Sequence, residues 1–312
     1  LPHPDILSES GRALVAHHAV LVINVLGVGS EPRRGRVHRP EANAPLPLRQ
    51  LWDTLDSLEE LSPREAFHDA QSYREEVQRL FALGHASLED LSVADGLFWR
   101  VFDQLARRAP EELADEMDAI RTGSADKYFC NFSVFRSLPD AWALGQVFPV
   151  APIHRLDEPP TREGYLVDVT CDSDGRLARF PAHPNDPAPK TLPLHAIEEH
   201  EEYFIGVFLV GAYQETLGGL HNLFGDTHAV HVRLEDGEPH IEQVVEGESV
   251  ADVLDWVQFP KQVLLDRVRR EVERARAEGR LSAREATAFL RFYREGLAGY
   301  TYLEENLPPA AQ

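Results

Sequence analysis

The period of the apolar residues changes along the chain, and the changes divide its 312 residues into blocks. The first long apolar run, His18 to Val28 (HAVLVINVLGV), is rich in β-branched residues and predicts a buried strand. A polar turn, Ser8-Glu9-Ser10-Gly11-Arg12, precedes it. Arg and Pro crowd residues 31–47 (EPRRGRVHRPEANAPLP), which marks a surface linker after a first block of 1–30. From 48 to 125 the spacing is helical: Leu51, Leu55 and Leu58, then Val77, Leu80 and Phe81, then Leu97, Phe98, Val101, Phe102 and Leu105. Within it, Ser62-Pro63-Arg64-Glu65 combines an N-cap, a proline at the first helical position and a glutamate three residues after the cap.

From 126 to 258 the pattern shifts to short strand-like runs separated by Gly, Pro and Asp. Tyr128 to Phe135 (YFCNFSVF) and Tyr203 to Val210 (YFIGVFLV) read as strands. The alternation His228-Ala229-Val230-His231-Val232-Arg233-Leu234, followed by Glu235-Asp236-Gly237, predicts a strand entering a hairpin turn. Pro181 to Pro189 (PAHPNDPAP) reads as a loop of this β domain. From 259 to 312 the chain turns helical again, and Ser282-Ala283-Arg284-Glu285 forms a second capping box.

A formal net charge of −21 argues against a nucleic-acid partner, because such affinity rests on cations that neutralise phosphates. It suits a cationic small molecule, and it also simply keeps a protein soluble. No apolar run approaches the roughly 20 residues of a membrane helix, so no membrane partner is expected. With only Cys130 and Cys171, neither a disulfide framework nor a four-cysteine zinc site can be built, and a reducing, cytoplasmic setting is the expectation. The opening LPHPDILSESGR has no initiator Met and no signal-peptide core, and reads as the interior of a longer protein.

Four segments combine glycine with acids or nucleophiles. Glu9-Ser10-Gly11-Arg12 offers a carboxylate and a guanidinium around a Gly turn, which fits a ligand with a cationic and an anionic end; a capped helix N-terminus explains the same residues. Thr170-Cys171-Asp172-Ser173-Asp174-Gly175 is either an Asx turn with a filler cysteine or a proton-donating thiol among carboxylates. Val210-Gly211-Ala212-Tyr213 permits close backbone approach and a phenol aimed at a phosphate, or an ordinary partly buried tyrosine. Leu220-His221-Asn222-Leu223-Phe224-Gly225-Asp226 discloses nothing by itself. The His228/His231 pair is no metal site on a strand, since three-residue spacing points the rings to opposite faces. No GxxxxGK[ST] loop and no GxSxG elbow occurs.

In order along the chain, SESGRAL, YFCNFSVF with SLPDAW, DVTCDSDG, FLVGAYQE with LHNLFGDTHAVHV, and the closing GLAGYTYLE resemble the biosynthetic arginine decarboxylases, of the ornithine-decarboxylase-like fold. The resemblance implies a multidomain α and β protein. Residues 1–30 would be the end of a (β/α)8 barrel that binds pyridoxal 5'-phosphate and a crossover strand, with 31–47 a linker. Residues 48–125 would be an inserted helical bundle, 126–258 a C-terminal β domain of sandwich or barrel type, and 259–312 a C-terminal helical bundle. It implies decarboxylation of L-arginine to agmatine and carbon dioxide in polyamine biosynthesis, with Mg2+ as a further cofactor and an active site shared across a homodimer or higher oligomer. Glu9 would pair with the pyridine nitrogen, Gly11, Arg12 and Tyr213 would hold the phosphate, and Cys171 would protonate the α-carbon. Asp172 would face the substrate's cationic end, and because Phe132 stands where ornithine-type enzymes carry an acid, Asp140 is a further candidate for the guanidinium. The lysines are Lys127, Lys190 and Lys261, none in a barrel-strand context. The cofactor lysine is therefore expected in an N-terminal half outside this chain, which alone should be inactive. Another basic amino-acid decarboxylase and a catalytically silent regulatory homologue are the alternatives.

Overall fold

The structure, a computed structural model, describes residues 3–29, 37–108, 125–183, 186, 188–198 and 201–304. Residues 31–36 of the expected linker, 109–124 of the expected bundle and part of the Pro-rich loop lie outside the described residues. The chain divides into two units: 29–127 with 162–164, and 1–28 with 128–161 and 165–312.

Among the described residues, the helical unit packs three helices, α2 (Leu46–Asp56), α3 (Pro63–Ala82) and α4 (Leu88–Arg108). Ser62 caps α3 as expected, its hydroxyl accepting from the Glu65 N–H, with Pro63 at the first position. Ser87 and Asp90 cap α4 reciprocally, through Asp90 N–H to Ser87 Oγ at 3.1 Å and Ser87 N–H to Asp90 Oδ2 at 2.8 Å. Both devices satisfy N–H groups that a helix start leaves unpaired. Ala66, Phe67, Ala70 and Val77 form the inner face of α3, and Val93, Leu97, Val101 and Leu105 that of α4. The small alanines let the helices approach closely. Phe81, expected on the inner stripe, is 40% exposed at the last turn of α3.

In the other unit, α1 (Gly11–Val15) leads through a short 3-10 turn into β1 (Val20–Gly29). Residues 3–10, where the last strand of a barrel was expected, form no strand; a strand needs a neighbour to pair its backbone groups. The sheet runs β3-β7-β1-β2-β4-β5, with β6 against β4. Its strands are β2 (Asp126–Cys130), β3 (Val150–Pro152), β4 (Arg162–Val167), β5 (Arg176–Leu177), β6 (Leu192–Leu194) and β7 (Phe204–Phe208). β1 pairs antiparallel with β7, in register from Val20 opposite Phe208 to Asn24 opposite Phe204.

Two expectations change here. β1 is buried on one face only: Ile23 and Val25 enter the core with Tyr128, Phe132, Tyr203 and Ile205, whereas Val20, Val22 and Leu26 are exposed. Alternation along a strand turns every second side chain outward whatever its polarity. The run YFCNFSVF is not one strand either. β2 stops at Cys130, and Ser133 caps a short helix, α5 (Val134–Ser137), by accepting from the Arg136 N–H. A second short helix, α6 (Pro139–Ala143), follows at once.

Beyond α7 (Gln214–Leu217), strands β8 (Ala229–Glu235) and β9 (Glu238–Val245) form the expected hairpin. Its two turn residues, Asp236 and Gly237, have φ of 53° and 86°, the left-handed pair that matches strand twist. A helix, α8 (Val250–Trp256), then forms inside the stretch expected to be β, because Ser249 and Asp252 build a capping box. α9 (Lys261–Ala277) and α10 (Ala283–Ala298) complete the tail, the latter opened by the expected Ser282–Glu285 box. Among the described residues, no helix is long and apolar enough to cross a membrane.

Leu97 is fully buried at the centre of the helical unit. Leu97→Ala is expected to destabilise that unit by roughly 2–5 kcal/mol, the cost of lost contacts plus a cavity. Urea unfolding followed by tryptophan fluorescence measures it; a change below about 1 kcal/mol would show that the three helices do not share one tight core.

Candidate functional site

Two clusters gather the residues singled out in the sequence. The first forms where α1 meets the turn after β7. Gly211 N–H donates to Ala16 C=O at 2.8 Å, drawing the Val210–Tyr213 turn against the segment that follows α1. Tyr213 takes a left-handed backbone, φ 71° and ψ −19°, an uncommon conformation for a bulky residue. Its phenol comes to Gly11, where a Cβ would stand 2.7 Å from the hydroxyl, so a larger residue there would push the phenol aside. The Arg12 guanidinium lies 5.0 Å from the centre of the Tyr213 ring.

A buried carboxylate holds this arrangement. Asp140 on α6 is 4% exposed, and its Oδ2 accepts from Arg12 at 2.5 Å and from Gln214 Nε2 at 2.7 Å. Gln214, itself buried, also donates to Ala212 C=O and accepts from the Asp140 N–H. The far end of α7 is pinned by the buried Arg136, which donates to Gly218 C=O at 2.8 Å and pairs with Asp226 at 2.6 Å. Burial alone pushes the Asp140 carboxyl up, but hydrogen bonds from Arg12 and Gln214, with the Arg12 charge, outweigh it and hold the group below its ordinary value.

The second cluster surrounds the Cys171–Asp172 turn. Asp168, buried, accepts at Oδ1 from the Thr170 N–H and hydroxyl and at Oδ2 from the Val134 N–H. Asp172 Oδ1 accepts from the Asp174 N–H at 2.9 Å, so an Asx turn forms here, but its cysteine is not buried filler. Cys171 is exposed, and Asn222 Nδ2 donates to its sulfur at 3.2 Å. His221 Nε2 stands 3.4 Å from Asp172 Oδ2, and its ring lies 4.2 Å from that of Phe135. Asn222 and Leu223 both have left-handed backbones, φ 57° and 59°, which bend this turn toward the thiol. Cys130 is the opposite case: burial, reinforced by the Asp168 charge, drives its thiol far above the usual range and leaves it inert.

Gly11, Arg12, Tyr213 and Asp140 thus meet in one place, and Cys171 and Asp172 share another. Glu9 is exposed on the segment leading into α1, and Phe132 is core, too deeply buried to line a site. Gln214, Asp168, His221 and Asn222 were not legible as site residues. The GAYQE motif contained Gln214, but nothing in it signalled a partner; Asn and His beside each other in a short turn were the only hint of the others. Among the described residues, no group of three or more His, Cys, Asp and Glu is placed to hold a metal ion. A guanidinium and a phenol left partly exposed beside a glycine that admits close approach suit the phosphate of a cofactor.

Residues 41–120 match the arginine decarboxylase helical bundle domain, and residues 250–303 the arginine decarboxylase C-terminal helical extension. The chain is 44% identical over 306 residues to a biosynthetic arginine decarboxylase of Bacteroides thetaiotaomicron, covering 97% of this chain and 48% of that protein. It is 41% identical over 314 residues to one of Gloeobacter violaceus, covering 98% and 48%. The crystal structure of the biosynthetic arginine decarboxylase SpeA from Campylobacter jejuni superimposes with a TM-score of 0.75 at 30% identity, covering 95% of this chain and 47% of that one. The chain therefore spans about half the length of the curated relatives it matches.

The ion pair of Asp140 gives stability a defined pH dependence. Its folded pKa is depressed, so its contribution is fully present above the unfolded value, near 3.8, and is lost as pH falls through the folded value. Asp140→Asn is expected to lower the urea midpoint at pH 7, and the difference from the parent should close below 3.8. A difference that stays constant into acid would show that no ionised carboxylate is at work.

Proposed function

We propose, for a chain that resembles biosynthetic arginine decarboxylases over nearly its whole length, that it forms the C-terminal portion of an enzyme converting L-arginine to agmatine and carbon dioxide, a step toward polyamines. The observation that carries this reading is the meeting of Gly11 and Arg12 with Tyr213, distant in sequence, as one partly exposed cation and phenol. In this reading Arg12 and Tyr213 bind the phosphate of pyridoxal 5'-phosphate, with Gly11 making room, and Glu9 faces the pyridine nitrogen. The cofactor, when bound, takes up the electron pair left as carbon dioxide departs.

Cys171 is the catalytic acid of the proposal, delivering a proton to the substrate α-carbon. Its exposure and the Asn222 N–H on its sulfur leave the thiol accessible and oriented. Asp172 receives the substrate guanidinium, with His221 beside it. The exposed Cys171–Asp172 turn is read as reaching the site of a neighbouring copy, so a homodimer or larger assembly belongs to the proposal. Lys127 lies in β2, Lys190 in the Pro-rich loop and Lys261 at the start of α9, and the lysine that bonds the cofactor is assigned to the rest of a full-length protein. The earlier expectation of barrel strands is kept for that part. For Mg2+ no role is proposed in this chain.

The test is carbon dioxide release from labelled arginine by the full-length protein with pyridoxal phosphate, with ornithine and lysine as competitors. Cys171→Ala should slow turnover about 100-fold or more, as removal of a positioned acid does, and leave cofactor absorbance intact. Undiminished turnover would remove Cys171 from the mechanism, and release from ornithine in preference to arginine would move the substrate assignment.

A further inference from the structure

We infer that Asp140, with Gln214, is a positioning residue for the phosphate clamp: it fixes Arg12 against Tyr213 and does not receive the substrate's guanidinium. The inference rests on the cofactor reading proposed above. Its first support is occupancy. Asp140 Oδ2 already accepts from Arg12 at 2.5 Å and from Gln214 at 2.7 Å, and the residue is 4% exposed. A substrate guanidinium would have to displace another guanidinium of the same charge and geometry, and enter the interior to do so.

The second support is what Asp140 leaves free. Arg12 carries five N–H donors in a planar fork, and its side chain is 37% exposed, so donors remain for a ligand after the ion pair is made. Tyr213 is 48% exposed. Held by Asp140 at one edge and stacked over the phenol ring at the other, the guanidinium is fixed at two points before any ligand arrives. Gln214 extends the hold to the tyrosine. Adjacent in sequence, it anchors the first residue of α7 to Asp140 through both its amide oxygen and nitrogen, and so supports the left-handed backbone of Tyr213.

Charge and positioning make opposite predictions. Asp140 offsets part of the Arg12 charge, so if only the field mattered, removing the carboxylate would tighten phosphate binding. Positioning requires that removal weaken it. The full-length apoprotein is titrated with pyridoxal phosphate and, separately, with pyridoxal, following cofactor absorbance. Asp140→Ala is expected to weaken pyridoxal phosphate binding about 10- to 100-fold, the scale seen for outer partners of bound groups, while pyridoxal binds within about twofold of the parent. At saturating cofactor the KM for arginine should not change. In an Arg12→Ala background, Asp140→Ala should add no further loss.

Unchanged or tighter pyridoxal phosphate binding in Asp140→Ala overturns the inference, as does a raised KM for arginine with cofactor affinity intact. If Asp140→Ala does not fold, Gln214→Leu carries the test, since it removes a donor to the carboxylate and keeps the charge; unchanged cofactor affinity there is equally fatal. A parent protein that binds no pyridoxal phosphate would sink the cofactor reading and this inference with it. A parent that binds normally beside indifferent variants sinks the inference alone.

Discussion

One carboxylate oxygen, Asp140 Oδ2, accepts from two donors that flank it far away in sequence, Arg12 and Gln214, and the local architecture depends on it. Burying a carboxylate is costly unless charge-assisted hydrogen bonds replace its water. Arg12 and Gln214 supply them, and both are thereby fixed. With Gln214 anchored, α7 begins where Tyr213 must turn left-handed; with Arg136 donating to Gly218, it ends at a second fixed point. The short helix is thus held at both ends by α5 and α6, elements too small to be stable alone.

The setting of Arg12 also explains why geometry matters more than overall charge. A chain with a net charge of −21 presents an unfavourable field to an anionic group at long range. At physiological salt that field decays over about 8 Å, so a phosphate close to the surface senses mainly the groups it touches. A guanidinium and a phenol held in fixed relation work at that distance.

The helical unit was legible because apolar periodicity and local capping residues carry the information: the Leu97 to Leu105 stripe and Ser62 both act as their spacing indicated. The β8–β9 turn was legible for the same reason, since Asp-Gly suits left-handed backbone. The second cluster was not. Asn222 meets Cys171 across 51 residues, and no local pattern encodes that meeting. The exposed face of β1 was missed because an apolar run does not reveal how many faces its sheet covers. YFCNFSVF misled in another way, its Ser133 serving as a helix cap inside a run with strand composition. Asp140 was identified as important on resemblance, yet its partner is Arg12, a contact visible only once the chain has folded.

Arg12 and Asp140 are separated by 128 residues. Bringing such distant positions together carries a loop-closure entropy that grows with the logarithm of the separation, repaid only when the intervening sheet is assembled. An incompletely folded chain carries the same arginine and tyrosine but leaves them on unconnected, freely rotating segments. In the cofactor reading proposed, completion of the sheet would turn two ordinary side chains into a phosphate receptor, whose occupancy would then report that the chain has reached its native state.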